Sequence, residues 1–446
     1  MHVVVDDPGR HPVYPKSFEH QRRHKSGKPV NHSHVLLESK LPTDKSWSSL
    51  LKCRQCKHNI TTTLALAILE VCPSYLSPGQ RLFTAGSFKG ELRDKALYCE
   101  SGQLSPQSDG RLTCNMEEAD MRVCLHCKYA VGTKKLVYSP DTDTYHIGMG
   151  LLHDSRLAEC QIQVQINPVG KADRYFNLTG LQGALQGDHR LGMIPTHLRT
   201  QVLQTLYTCT GCDYTSFFHG VGKSGFLDVF YTHANFISSG RDYPGTLADT
   251  GTSSETLGFL SFVRLVGSVY FTKNKKWFTK ATPESHFNST VKPGNSPLQN
   301  HLEWLDAIRM KIWGKRASLA KELPSGDALQ FHCKRSVWVL DMWRQSLQNV
   351  VKLLPMDKFG WTITDSTLDI TWESQANTDK VKEHVRYLLE GCGCKKGDCS
   401  NKQCGCQKRG VHVDQHALAT QPDVRTATLL TWKSIPIMKV RRRSCF

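Results

Sequence analysis

Short β-branched runs alternate with amphipathic helical patterns through the first half of the chain. The runs predict strands at His2–Val5, Leu136–Ser139 and Thr144–Leu151, and the helical patterns fall at 48–71 and 117–131. Such alternation is typical of an α/β domain, in which helices cover a sheet. We therefore expect residues 1–238 to form an α/β domain.

The pattern changes after Arg241–Gly251, a stretch rich in Gly, Pro and Asp that predicts a boundary. A capping-box sequence at 252–255 then precedes apolar residues at helical spacing. Further helices are predicted at Leu302–Leu323 and Asp327–Leu347, after a polar loop at 279–297. We expect a mainly helical middle region over 239–385.

Alternating apolar residues around the turn TDST predict a β-hairpin over 359–373, within the helical middle region. A cysteine-rich segment follows at 386–410. The last segment, 411–446, ends in KVRRRSCF and is expected to be a disordered basic tail.

The net charge of +17 suggests an acidic partner, of which nucleic acid is the commonest large example. A basic surface without a specific partner is the alternative. No run of eighteen apolar residues occurs, and the first residues lack the apolar core of a signal peptide. We expect an intracellular protein without a membrane partner, whose seventeen cysteines are reduced thiols or metal ligands.

Acidic residues stand at the ends or flanks of several predicted elements before residue 214. They are Asp6 and Asp7, Glu118 and Asp120, Asp141 and Asp143, and Asp213. At the carboxyl edge of a parallel sheet such acids would converge, and their carboxylates would repel one another unless cations lay between them. Two Mg²⁺ or Mn²⁺ ions about 4 Å apart would promote phosphodiester hydrolysis there. Each acid alone is also compatible with a turn or a helix cap.

These motifs, in this order, resemble the flap endonuclease and xeroderma pigmentosum group G nucleases, whose catalytic domain is PIN-like. The stretch VVVDDPGRHPVYPKSFEHQRR is similar to the family's strand, proline and basic helix. The tripeptides at 118–120 and 141–143 and the GCDY at 211–214 are similar to its acidic motifs, and Gly220-Val221-Gly222 resembles its glycine turn. Covering residues 1–235, the resemblance implies a three-layer fold with helices on both faces of a parallel sheet.

The resemblance also implies a role for each matching residue. Metal ions would be held by Asp6, Glu118, Asp120, Asp141, Asp143 and Asp213. Phosphates would be bound by Lys16, Arg22, Arg23, Gly220, Gly222 and Lys223. In the family the glycine turn grips duplex DNA through a K⁺ ion, whereas an ordinary glycine-capped loop is the alternative here. The implied partner is duplex or branched DNA, and the implied location is nuclear.

Five thiols lie close together in GCGCKKGDCSNKQCGC. They are Cys392, Cys394, Cys399, Cys404 and Cys406. Such a segment cannot form a hydrophobic core, so bound Zn²⁺ would have to order it, and a disordered thiol-rich linker is the alternative. The spacing resembles the first half of a tesmin-type CXC domain, a DNA-binding zinc module. The five cysteines can complete one tetrahedral site, and His412 or His416 would join a second. Elsewhere, the C-x-x-C pair at 53–56 is expected to consist of ordinary thiols. The pair at 124–127 is expected to pack in the core.

The match departs from the family where the chain begins. The family has another strand and another metal-site Asp before the strand that starts here at His2, which suggests an incomplete gene model or a decayed or repurposed copy. The whole arrangement is similar to uncharacterised animal proteins present in many copies, which suggests mobile-element ancestry. Three functions stay open: a structure-specific nuclease impaired by the missing strand, a non-catalytic nucleic-acid-binding protein, and an interaction protein whose charge is incidental.

Overall fold

The computed structural model describes most of the chain up to residue 379. The described residues are 1–7, 10, 14–16, 18, 51, 54–139, 141–166, 174–239, 242–244, 257–313, 323–365 and 367–379. Residues Met1–Ser374 form one compact unit, and the second unit, Gln375–Phe446, is described only over 375–379. Arg22, Arg23, the capping-box sequence, the five clustered cysteines and the tail therefore lie outside the described residues.

The first sheet has four short strands, which lie side by side in the same order as in the sequence. They are β1 (His2–Val4), β2 (Arg81–Ala85), β3 (Ala96–Glu100) and β4 (Gln107–Ser108). Strands β1 and β2 are parallel, with Val3 opposite Thr84, and the other pairs are antiparallel. Helix α1 (Arg54–Val71) packs on β2 and β3 and buries Ala65 and Leu69 against Leu82 and Phe88.

The second sheet has three strands. They are β5 (Lys134–Tyr138), β6 (Gln161–Ile166) and β7 (Arg174–Asn177). Strands β5 and β6 are parallel and β6 and β7 antiparallel. The α/β prediction is confirmed. Among the described residues, however, the strands form two small mixed sheets and the parallel arrangement is limited to one pair in each.

Helices make up most of the remaining unit. In the first half they are α2 (Ala119–Tyr129), α3 (Asp143–Gly148), α4 (Leu178–Gly187), α5 (Arg199–Cys209), α6 (Lys223–Thr232) and α7 (Ala234–Ile237). The second half contains α8 (Leu257–Lys273), α9 (Pro283–Asn288), α10 (Pro297–Trp313) and α11 (Gly326–Arg344). The predicted hairpin is confirmed as β8 (Trp361–Thr364) and β9 (Thr367–Ile370).

The strand predicted at Thr144–Leu151 is wrong, because this segment forms α3 and a following 3-10 helix. The backbone N–H of Asp143 donates to Asp141 Oδ1 (3.0 Å), and the Thr144 hydroxyl lies 2.7 Å from that of Ser139. These local bonds favour a helical start over an extended chain. The predicted loop at 279–297 likewise contains α9, which begins with a capping box between Thr282 and Ser285.

One hydrophobic core joins segments on both sides of the boundary predicted at residue 238. Phe218 from the first half lies against Phe262 and His332 from the second, with ring centroids 6.3 and 5.2 Å apart. Cys124 and Cys127 are buried in the same core, which confirms their predicted packing role. Within the described part of the chain, no helix is long and apolar enough to cross a bilayer.

Candidate functional site

The end of β1 places Asp6 at the start of α2. The Val5 N–H donates to the Ala85 carbonyl (3.0 Å), which continues the strand pairing up to Asp6. Gly86 approaches so closely that a Cβ there would lie 1.9 Å from the Val5 carbonyl oxygen, and its φ of +87° also favours glycine. Asp6 Oδ1 accepts from the Ala119 N–H (3.0 Å), and Oδ2 accepts from Lys57 Nζ (2.7 Å).

The first turn of α2 carries two further predicted site acids. Glu118 is the N-cap residue and is buried. Asp120 lies in the first helical turn and accepts a hydrogen bond from the Thr144 hydroxyl of α3. Because Asp6 accepts from the first N–H of the same helix, three carboxylates lie around one helix start.

Asp141 and Asp143 lie where β5 gives way to α3. Asp143 is the first residue of α3 and is buried, and it accepts a hydrogen bond from the Tyr207 hydroxyl of α5. Asp141 is held by the Asp143 N–H and by its own N–H, which donates to Ser139 Oγ (3.2 Å). The pair therefore stands between a strand and a helix rather than between two strands.

Asp213 lies in a tight turn after α5. The backbone groups of Cys212 and Thr215 bond each other, and Thr215 Oγ1 donates to the Thr208 carbonyl (2.8 Å). Gly211, with φ +113°, precedes the turn, and a Cβ on it would lie 2.6 Å from the Phe217 ring. Only glycine fits here, so the local sequence GCDYT fixes the position of the Asp213 carboxylate.

Lys16 extends its ammonium among these acids. It donates to Glu118 Oε2 and lies 3.8 Å from Asp213 Oδ2, with 15% of its side chain exposed. Burial acts to lower the pKa of Lys16. The negative charges of Glu118, Asp120 and Asp6 outweigh this effect and raise the pKa well above its usual value. A cation thus neutralises part of the charge inside the acidic group.

The carboxyl groups titrate unusually because they are buried beside one another. Burial, together with Asp6 and Asp120, raises the pKa of Glu118 to about 8, against the influence of Lys16. Burial and the neighbouring Asp141 raise the pKa of Asp143 to about 7. The pKa of Asp6 is instead lowered, because Lys57 and Lys16 outweigh the effect of burial.

These interactions link all six predicted acids into one group, which we call the carboxylate group. It consists of Asp6, Glu118, Asp120, Asp141, Asp143 and Asp213. The acids thus interact with one another in pairs, and their convergence at a single point stays a prediction. Among the described residues, no three His, Cys, Asp or Glu side chains meet at one point in a way that could hold a metal ion. Their role as metal ligands stays a prediction.

The glycine turn lies at the start of α6, with Gly222 as the N-cap residue. The Lys223 ammonium points into the protein, where it donates to the carbonyls of Tyr207 (3.1 Å) and Gly211 and lies 3.3 Å from the centre of the Tyr207 ring. The Gly220 carbonyl accepts from Lys273 Nζ of α8 (2.5 Å). The turn is exposed, but Lys223 is engaged within the fold.

Three residues of the site were missed by sequence reasoning. Lys57 pairs with Asp6, Tyr207 bonds Asp143, and Thr144 bonds Asp120. The sequence carries no short-range signal for these pairs, because each partner comes from a different element. Asp7, which directly follows Asp6, is instead fully buried and bonded by Arg93 and Arg10, so it stabilises the fold outside the carboxylate group.

Comparison of the sequence with protein-family models gives no match. Comparison with curated proteins also finds no match.

Proposed function

We propose that this chain is a metal-dependent nuclease of the flap endonuclease type, or a degenerate copy of one, that acts on DNA. The observation that carries the proposal is that six carboxylates from separate segments interact with Lys16 or with one another. Buried carboxylates raise one another's pKa values, and bound cations relieve this repulsion. A PIN-like three-layer arrangement is part of the proposal and goes beyond the two mixed sheets described above.

The donor atoms suit Mg²⁺ or Mn²⁺, since all six side chains offer hard oxygen ligands. When bound, such ions activate water and stabilise the charge that develops on a phosphodiester. The protein's own contribution is orientation: the Ala119 N–H holds Asp6, the Thr144 hydroxyl holds Asp120, and the Tyr207 hydroxyl holds Asp143. These hydrogen bonds already restrict the carboxylate side chains, so less side-chain motion is lost when an ion binds.

Phosphates would be bound near the same group. Lys16 already lies among the carboxylates, and the exposed Gly220 and Gly222 present backbone at the start of α6. The K⁺ ion expected at this turn is also part of the proposal, although the Gly220 carbonyl accepts from Lys273. A protein that acts on DNA would be nuclear.

The experiment that tests the nuclease is cleavage of branched and duplex DNA by the full chain with Mg²⁺ or Mn²⁺. The Asp143→Asn variant should lose all cleavage, whereas Asp357→Asn, which changes an exposed acid before the hairpin, should cleave like the wild type. Cleavage that persists in Asp143→Asn, or that needs no divalent ion, would contradict the proposal.

A second candidate is a non-catalytic nucleic-acid-binding protein, and one observation favours it. The Lys16 ammonium contacts Glu118 and lies close to Asp213, so it already supplies a positive charge where an ion would act. Such a protein would bind duplex DNA with a salt dependence, and Mg²⁺ would change neither its stability nor the DNA. Stabilisation by Mg²⁺ without any cleavage would indicate a metal site that has lost its activity.

The cysteine-rich segment is proposed to bind zinc through Cys392, Cys394, Cys399, Cys404 and Cys406. Four thiolates complete one structural Zn²⁺ site. The zinc content of the full chain under reducing conditions should be about one ion per chain. The zinc content should fall in the double variant Cys399→Ser, Cys404→Ser. It should stay unchanged in Cys72→Ser, because Cys72 packs against the small core beneath α1. An unchanged zinc content in the double variant would contradict the proposal.

A further inference from the structure

A group of lysines lies where α8, α9 and α10 come together. We call it the lysine patch, and its members are Lys273, Lys275, Lys276, Lys280 and Lys311. The first four follow the sequence KNKKWFTK at the end of α8, and Lys311 lies in the last turn of α10. All five are exposed. The two ends of the patch are therefore brought together only by the packing of α8 against α10.

A histidine of α9 links this region to α10. His286 of α9 accepts from the Trp304 indole N–H (2.9 Å). Burial lowers the pKa of His286, and Lys280, Lys275 and Lys311 lower it further. Lys275 Nζ also donates to the Lys280 carbonyl, and α8 packs against α10, which carries Lys311, so the lysines share one face of the protein.

Four of the five patch lysines form no ion pair with a carboxylate of the described residues; they are Lys275, Lys276, Lys280 and Lys311. Lys275 and Lys276 instead lie over the rings of Phe271 (5.1 Å) and Trp277 (5.7 Å). The exposed Glu284 of α9 interacts electrostatically with His233.

The patch is continuous with the glycine turn. Lys273 Nζ donates to the Gly220 carbonyl (2.5 Å), which fixes the end of α8 against the exposed turn His219–Gly222. Lys223, in contrast, is held inside the protein by the carbonyls of Tyr207 and Gly211. The exposed positive charge beside the turn therefore comes from α8 and α10.

We propose that the lysine patch, which lies beside the glycine turn, binds the phosphate backbone of duplex DNA. The inference rests on the proposed function, because the carboxylate group supplies the reason for a phosphodiester partner. Duplex DNA carries phosphates at regular spacing, and several exposed ammonium groups on one face match such a partner better than a single anion. Contacts to phosphates position the duplex without reading its sequence.

The test is duplex binding by the full chain over a range of salt concentrations. The triple variant Lys276→Gln, Lys280→Gln, Lys311→Gln should lower the slope of log K against log salt by about 3, since each lost phosphate contact contributes about 0.9. Its Kd should rise by at least about tenfold at moderate salt. The control triple Lys134→Gln, Lys352→Gln, Lys358→Gln removes the same charge from exposed positions on β5 and near the hairpin, and should change the slope by less than about one.

Each outcome separates the two proposals. Duplex binding that both triples weaken equally, or that the patch variant leaves unchanged, overturns this inference and leaves the proposed function standing. Absence of duplex binding by the wild type refutes the proposed function itself. Binding to phosphatidylserine vesicles without binding to DNA would overturn the inference in favour of a membrane surface.

Lysine acetylation of the wild type provides a measurement that does not depend on the variants folding. Bound duplex should protect Lys276, Lys280 and Lys311 from the reagent, while Lys134 and Lys358 react as in the free protein. Equal reactivity of the patch lysines with and without duplex would contradict the proposal.

Discussion

Lys16 Nζ lies 3.8 Å from Asp213 Oδ2 and donates to Glu118, which places a cation from the start of the chain among acids from α2 and the turn after α5. Only 6% of the Glu118 side chain is exposed. A buried acid beside other acids is stable when it is protonated or when positive charge accompanies it. Lys16 therefore stabilises those acids of the carboxylate group that are ionised.

Replacing Lys16 with methionine should lower the free energy of unfolding by about 2 kcal/mol or more, because it removes the buried donor to Glu118 and a cation that keeps Asp6 ionised. Lys57→Met should cost at most about 1 kcal/mol, since the Lys57–Asp6 pair is about one-third exposed and solvent screens it. Urea unfolding at neutral pH measures both values. Equal losses would show that Lys16 is an ordinary surface lysine.

Stability should also depend on pH through Glu118. Its pKa is about 8 in the folded protein against an ordinary value of 4.5, so the folded state holds more protons between these values. The free energy of unfolding should therefore fall as pH rises from 4.5 to 8.

Several buried histidines have lowered pKa values and make the protein more stable as pH rises. The effect of Glu118 is therefore measured as a difference between the wild type and a variant. The wild type should lose stability relative to Glu118→Gln as pH rises through this window. If Mg²⁺ binds the carboxylate group, its addition should reduce the loss. A constant difference between the two proteins across the window would mean that Glu118 is not buried among acids.

The turn that carries Asp213 depends on Gly211. Gly211→Ala should cost at least about 2 kcal/mol more than Gly79→Ala, because both positions have positive φ but only Gly211 also meets the Phe217 ring. Thermal unfolding measures the difference. Similar costs would mean that the turn can shift without strain, and Asp213 would then not be rigidly placed.

Lys223 offers a contrast with the lysine patch. Lys223→Met should lower the free energy of unfolding by about 1–3 kcal/mol, since the carbonyls of Tyr207 and Gly211 lose their buried donor. The salt dependence of duplex binding should stay unchanged. A slope reduced by about one unit, with full stability, would instead assign Lys223 a phosphate contact.

Local patterns in the sequence were sufficient for much of the secondary structure. Apolar spacing predicted α8 and α11, and alternation around TDST predicted the hairpin, because these elements follow from which residues can be buried on one face. The same approach failed at Thr144–Leu151. There, side-chain bonds at Asp141 and Ser139 start a helix where β-branched and aromatic residues suggested a strand.

The sequence by itself determined which acids are candidates, since their order and neighbours are local features. It also determined that the protein carries an excess of positive charge. Only the tertiary structure decided which cations accompany those acids and which face the solvent. Lys16 lies within the carboxylate group, Lys223 lies inside the fold, and Lys311 lies on α10, which packs against α8. These placements depend on long-range packing, which no local spacing in the sequence encodes.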